Sequence, residues 1–157
     1  ETGTSFEENA IIKVKSLPEN VFAIADDSGL CVDGLNGAPG IYSSRFASTS
    51  GGWKKAMQNI YSQIQNSSEK IYTARFFCAL AVNIPDDKIF VYTGQIKGKI
   101  KWPPSGKNGF GYDPFFIPDG FKESFGEMEH SKKIYLDHRF EAFKHFSKKH
   151  LNYIYKD

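Results

Sequence analysis

Cysteine is nearly missing from this chain, and the shortage narrows the chemistry. Cys31 and Cys78 are the two cysteines among 157 residues. They lie far apart in apolar, strand-like surroundings, with no CxxC pair and no Cys/His ligand spacing. The usual zinc patterns are therefore not available. Buried, reduced thiols in a cytoplasmic protein are the expectation. Long hydrophobic runs are missing too. No stretch approaches the roughly 20 apolar residues a membrane-spanning helix needs, so no membrane partner is expected. An excess of one charge is also lacking. A net charge of +2 is too small to argue for a nucleic-acid surface, and no stable nucleic-acid partner is expected. Lys144, Lys148, Lys149 and Lys156 make the C-terminal end basic, which reads as a solvated helix face. The phosphate-loop pattern GxxxxGK[ST] does not occur. With no internal repeat and no linker, residues 1–157 read as one domain of α/β or α+β type.

What the chain does have is apolar and aromatic mass. Hydrophobic residues make up 40 % and aromatics 15 %, with 14 Phe and 8 Tyr, enough for a real core. Thr4-x-x-Glu7 and Ser5-x-x-Glu8 are overlapping capping-box patterns. Phe6, Ala10, Val14 and Leu17 follow at helical spacing, and Pro18 and Asn20 end that helix. Val21–Ala25 is a short apolar run suited to a strand buried on both faces. A Gly/Pro-rich stretch from Gly29 to Gly40 follows, holding a short hydrophobic piece at Leu30 to Leu35. Trp53, Met57, Ile60 and Ile64 mark a second amphipathic helix. Tyr72–Ile84 and Ile89–Ile100 predict two long strands, paired antiparallel across the turn at "PDDK". Pro103 to Gly120 is so rich in Gly and Pro that it reads as a shaped loop rather than a regular element. Phe140 and Phe143, at i+4 and i+7 from Leu136, predict a C-terminal helix reaching Lys149.

Three clusters carry candidate chemistry. Asp26-Asp27-Ser28-Gly29 reads as the end of a strand, where ligands of α/β sheets bind. Two adjacent carboxylates repel, and burying one unpaired is costly. A cation, a sharp turn or a catalytic task would each account for them. An Asp here can hold a divalent metal or take a proton from water; an Asx-turn is the plainer alternative. Phe110-Gly111-Tyr112-Asp113 lies in a glycine-rich loop with Lys107. There Gly109 and Gly111 let backbone approach a ligand, and an aromatic can stack on a base. A packed aromatic loop is the alternative. Lys133, His138 and Arg139 form a basic cluster that can clamp a carbonyl or phosphate, or simply decorate a helix start. On one ideal helix Lys133 and His138 point about 140° apart. If they share a ligand, Lys133 precedes the helix and Asp137 caps it.

Taken together, "ETGTSFEENA", "ADDSGLCVDGLNGAPGIYSSRFA", "ARFFCALAV", "NGFGYDPFF" and "DHR" resemble the inosine triphosphate pyrophosphatase family in order and over nearly the whole chain. The resemblance implies an α/β fold: a long central mixed β-sheet between two α/β lobes, with a substrate cleft. It implies Mg²⁺-dependent hydrolysis of the inosine, deoxyinosine and xanthosine triphosphates to monophosphate and pyrophosphate, by a homodimer. Carried over, Asp27 is the general base and a magnesium-associated carboxylate, and Glu1 is the other metal-site acid. Ser28 contacts substrate, Phe110, Gly111, Tyr112 and Asp113 form the base and sugar pocket, and Lys133, His138 and Arg139 face the substrate. Asp137 stands where the family has Ser; both residue types cap helices. The resemblance also implies that the family's first strand and a phosphate-holding loop of Thr/Ser-Gly-Asn-x-x-Lys type are not within residues 1–157. A catalytically impaired nucleotide-binding fragment is therefore the alternative function. A pyrophosphatase for modified pyrimidine nucleotides is a third reading, against which "DHR" and "FGYD" speak.

Overall fold

A computed structural model describes residues 2–151 of the chain. Helix α1 (Phe6–Lys15) precedes strand β1 (Ala23–Val32). Helices α2 (Ser43–Ser50) and α3 (Trp53–Asn66) lead into strands β2 (Thr73–Asn83) and β3 (Ile89–Ile100). A short strand β4 (Phe116–Pro118), a single-turn helix α4 (His130–Lys133) and helix α5 (His138–His150) follow. The strands form a sheet of order β1-β2-β3-β4. Asn83, at the end of β2, donates its Nδ2 to the carbonyls of Val21 (2.8 Å) and Glu19 (3.0 Å), just before β1. The described strands are antiparallel to their neighbours. In the last pair, Gly98 faces Pro118, Lys99 faces Ile117 and Ile100 faces Phe116. No helix among the described residues is long and apolar enough to cross a membrane.

The chain divides into two compact units. The first draws its described residues from Glu1–Ser28, Phe77–Gln95 and Asp137–Asp157, the second from Gly29–Phe76 and Ile96–Leu136. In the first, α1 starts where Ser5 accepts a hydrogen bond from the Glu8 amide (3.1 Å). Glu8 reaches back one residue further than in the usual reciprocal box, to the Thr4 amide and hydroxyl. Those bonds hold its carboxyl below the usual range, the amide contributing most. Ala10 and Val14 pack on Ala23, Ala79 and Ala81. The intervening residues of β2, Cys78, Leu80 and Val82, pack instead with Ala142 and Phe146 of α5. The strand period of two thus separates an α1-facing set from an α5-facing set.

Gly94 lets α5 lie close to β3. A Cβ there would sit 2.2 Å from the His138 carbonyl oxygen and 2.3 Å from the Ala142 amide nitrogen. Both are backbone atoms, so the helix as a whole would have to shift. Gly94→Ala is expected to destabilise the protein by about 1–3 kcal/mol, the usual cost of overpacking. Thermal unfolding checks it: a melting temperature within a degree of the parent would mean that α5 moves away at no cost.

The second unit has its own core. Met57, Ile60 and Ile64 of α3 meet Leu30 and Val32 of β1, together with Phe115, Phe116 and Phe125. Phe116 contacts Phe76 and Phe125 with ring centroids 4.8 and 5.4 Å away. Gly98 admits β4: a Cβ would lie 2.2 Å from the Ile117 carbonyl oxygen.

Three sequence expectations are corrected and one element is added. β1 does not end at Ala25; it runs through the aspartates to Val32. Its start is not buried on both faces, since Ala23 is buried while Ile24 is 41 % exposed. The Pro103–Gly120 stretch is not all loop, because β4 lies inside it. Helix α2, "SSRFASTS", was not anticipated; of its residues Ser43 and Ala47 are buried.

Candidate active site

The alternation of β1 answers the problem of the paired carboxylates. Asp26 and Asp27 lie within the strand, so their side chains leave on opposite faces. Asp27 joins the set facing α1. It is 6 % exposed, and both carboxylate oxygens are engaged. Lys13 Nζ donates to Oδ1 at 2.8 Å and Asn9 Nδ2 donates to Oδ2 at 3.1 Å. Lys13 also donates to the Asp26 carbonyl oxygen at 2.9 Å. Asn9 is itself 2 % exposed and accepts from the Gly3 amide at 2.9 Å, which ties the segment before α1 to the same point. Asn9 and Lys13 are four residues apart and so share one face of α1. The arrangement is a carboxylate in fixed orientation beside an ammonium group that remains partly open to water, its side chain 34 % exposed.

Sequence reasoning missed both partners. The available signal was Asn9 itself: a polar amide one place from the Ala10–Val14 stripe, four residues before a lysine, needs a buried partner.

Asp26 faces the other way, toward α5. Its Oδ2 accepts from Arg139 Nε at 3.1 Å and from the Ser28 hydroxyl at 2.7 Å. Ser28 is two residues on from Asp26 and shares its face. Arg139 Nη1 lies 3.2 Å from His138 Nε2. His138 is 3 % exposed, in the first turn of α5. That turn is fixed by Asp137, whose side chain accepts from the Phe140 amide at 2.9 Å. Asp137 therefore does the capping expected of it. Cys78 lies beside this group; burial pushes its thiol up to about 11. Burial raises Cys31 as well. Both thiols are neutral at physiological pH and offer no nucleophile.

The remaining candidates belong to the second unit. Asp113 Oδ2 accepts from the Phe110 amide and from Lys133 Nζ, each at 2.8 Å. Both side chains of this ion pair are buried, 5 and 7 % exposed. Lys133 Nζ also lies 5.2 Å from the centroid of Phe110, whose ring is 64 % exposed. Gly109 has φ +72°, and a Cβ there would lie 2.0 Å from Asp113 Oδ2, so the loop curls directly over the carboxylate. Gly111, at φ +61°, keeps the turn going. Tyr112 is 3 % exposed and donates its hydroxyl to the Ser43 carbonyl at 3.0 Å; burial raises its pKa. Tyr112 and Asp113 thus use their polar atoms to tie the loop to α2 and α4, while Phe110 presents a ring to solvent. Lys133 stands in α4, before α5, as the angular argument requires.

Glu1, the other expected metal-site acid, lies outside the described residues. Among the described residues no three His, Cys, Asp or Glu side chains come together as a metal cluster. A magnesium ion does not need one. It is commonly held by one or two carboxylates and completes its shell with water and substrate phosphates. An ionised carboxylate has about four lone-pair positions. Asp27 uses two of them in the contacts above, so it fits as a single protein ligand.

The sequence profile of the Ham1 family matches residues 1–149. A protein of Zymomonas mobilis named dITP/XTP pyrophosphatase is 43 % identical over 147 residues, covering 92 % of this chain and 70 % of that protein. One of the same name from Agrobacterium fabrum is 41 % identical, covering 93 and 76 %. Among solved structures, the Staphylococcus aureus Ham1 protein superposes with a TM-score of 0.88 at 34 % identity, covering 97 % of this chain and 79 % of that one. A HAM1 protein from Coxiella burnetii gives 0.89 at 33 % identity, covering 98 and 80 %. With its segments matched in order, its fold shared and one profile spanning nearly all of it, the chain belongs to the Ham1 family.

Proposed function

We propose that this protein hydrolyses non-canonical purine nucleoside triphosphates (dITP, ITP and XTP) to the monophosphate and pyrophosphate. The observation that carries the reading is the fixed Asp27 carboxylate beside Lys13, in a chain about 40 % identical to proteins named dITP/XTP pyrophosphatase. Asp27 accepts the proton of an attacking water, which is worth typically 10²–10⁴-fold when the base is positioned. Lys13 offsets negative charge on the phosphates without moving far, since its Nζ already stands 2.8 Å from Asp27. A magnesium ion held by Asp27, with Glu1 as the second acid, would supply further charge neutralisation on the triphosphate. The residues here serve a phosphoryl transfer that is mostly positioning and electrostatics.

Base choice rests on donors. Arg139 can direct N–H groups at a purine 6-oxo oxygen; His138 Nε2 accepts from its Nη1, and Ser28, on the same face, donates to the Asp26 carboxylate that holds its Nε. A 6-amino base would set N–H against N–H, a mismatch that discriminates strongly. Phe110 offers an exposed ring of the kind that stacks on a base. Gly111, Tyr112, Asp113 and Lys133 shape and hold that loop. The same reading includes a cytoplasmic homodimer; two buried, unbridged thiols fit that compartment.

The test is pyrophosphate release from dITP, ITP, XTP and ATP by the purified protein, with and without magnesium. The oxo-purine substrates are expected to exceed ATP by at least an order of magnitude. Comparable rates on all four would remove the base-selective part of the proposal, and no release from any would remove the whole. Arg139→Ala is expected to lower the ITP-over-ATP preference more than it lowers the maximal rate on ITP. Equal losses on both nucleotides would make Arg139 a phosphate ligand or a structural residue.

A further inference from the structure

Asp26 has no part in the proton transfer assigned to Asp27, yet it is not idle. Its Oδ2 sits on the Nε edge of Arg139 (3.1 Å), and the same oxygen takes the Ser28 hydroxyl (2.7 Å). His138 lies against Nη1 of the same guanidinium (3.2 Å). An arginine side chain has many rotamers, and its planar fork delivers directional hydrogen bonds only when its plane is set. Anchoring Nε sets that plane. The energetic scale argues against a purely structural role. Asp26 and Arg139 are 37 and 40 % exposed, and ion pairs with that much water contribute little to stability. Such a pair can still fix a geometry, because orientation is a question of which rotamer wins rather than of net folding energy.

We propose that Asp26 is a positioning residue for base selection: it holds the Arg139 guanidinium in the orientation that reads the purine 6-oxo group. The two adjacent aspartates then divide the work by face, Asp27 toward α1 for the proton and Asp26 toward α5 for the base. Ser28 supports the arrangement by donating to the oxygen that Arg139 uses. The inference rests on the pyrophosphatase reading above and on Arg139 as the residue that meets the base.

The experiment measures kcat and KM for ITP and ATP by pyrophosphate release, on the parent protein, Asp26→Leu, Asp26→Asn, Arg139→Ala and the Asp26→Leu/Arg139→Ala double variant, with melting temperatures for each. Asp26→Leu is expected to lower the ITP-over-ATP ratio of kcat/KM about tenfold, because an unanchored guanidinium meets the base in only a fraction of its rotamers. The loss should appear mainly in KM for ITP. Asp26→Asn keeps an oxygen that can accept from Nε and is expected to retain most of the preference. In the Arg139→Ala background, Asp26→Leu should reduce the ratio no further. An unchanged ratio in Asp26→Leu, or additive losses in the double variant, overturns the proposal while leaving the pyrophosphatase reading standing. So does a fall in kcat alone, equal for both nucleotides. A parent protein that releases no pyrophosphate overturns both. The melting temperatures, expected to stay within a few degrees, separate these outcomes from unfolding.

Discussion

Asp27→Asn is expected to slow pyrophosphate release from dITP by about 10²-fold or more. Asn keeps the volume but cannot take a proton from water, and it carries no charge toward a metal ion or Lys13. The fold should survive. The amide must present N–H to either Lys13 Nζ or Asn9 Nδ2, so one donor loses its acceptor. An unmet donor costs about 1–3 kcal/mol, and Lys13, about one third exposed, can turn to water instead. Domain stabilities of about 5–15 kcal/mol absorb a loss of that size. Pyrophosphate release and thermal unfolding, measured on the same preparation, decide the matter. Near-parental turnover with a cooperative melt would move the general base elsewhere, and Asp26, turned toward Arg139, would be a poor successor.

The sequence made some of this legible and hid the rest for physical reasons. Asp26-Asp27 stood out because two neighbouring carboxylates after an apolar run are costly to bury. What it could not reveal was that the strand continues through them. Strand patterns are recognised by apolar alternation, and "DDSG" has none; the strand persists because each polar side chain finds a partner on its own face. Asn9 and Lys13 were hidden by a related effect. The pattern of helix α1 rests on Phe6, Ala10, Val14 and Leu17, and it says nothing of the polar residues beside that stripe. The partner that buries Asn9 comes from 18 residues away, and local periodicity carries no trace of it.

The long elements were the most legible. β3 spans Ile89–Ile100 as its pattern predicted, and β2 falls one residue inside the expected limits at each end. Asp137 was recognisable as a cap because capping is local chemistry, with acceptor and amide three residues apart. β4 was not recognisable. Three residues, one of them Pro118, make no pattern by themselves, and the strand exists because Gly98 of β3 admits the Ile117 carbonyl. Helix α2 was concealed by composition, since four of its eight residues are serine. Serine favours caps and turns over helix interiors.

The Asp113–Lys133 pair is where the largest loss of stability is expected. The two side chains are 5 and 7 % exposed, and the Asp113 carboxylate also holds the Phe110 amide. Asp113→Ala would leave an ammonium buried without its counter-charge, at a cost of about 3–5 kcal/mol. For a chain of this size that corresponds to a fall in melting temperature of about 6–20 °C. Lys133→Met strands the carboxylate instead and is expected to fall in the same range. Replacing both, as Asp113→Leu with Lys133→Met, removes the charges together. A buried pair exchanged for apolar groups is often neutral or better, so the double variant should be more stable than either single one. That reversal is the decisive sign, because independent sites would add their losses. Activity should not recover with stability. In the double variant nothing accepts from the Phe110 amide, Gly109 at φ +72° has no carboxylate to wrap, and the exposed Phe110 ring loses the cation 5.2 Å from its centroid. Unfolding curves and ITP kinetics on the three variants test both halves. Single variants that melt within about 2 °C of the parent would show that the pair is not buried as described; a double variant with parental KM for ITP would show that the Phe110 loop has no part in holding the nucleotide.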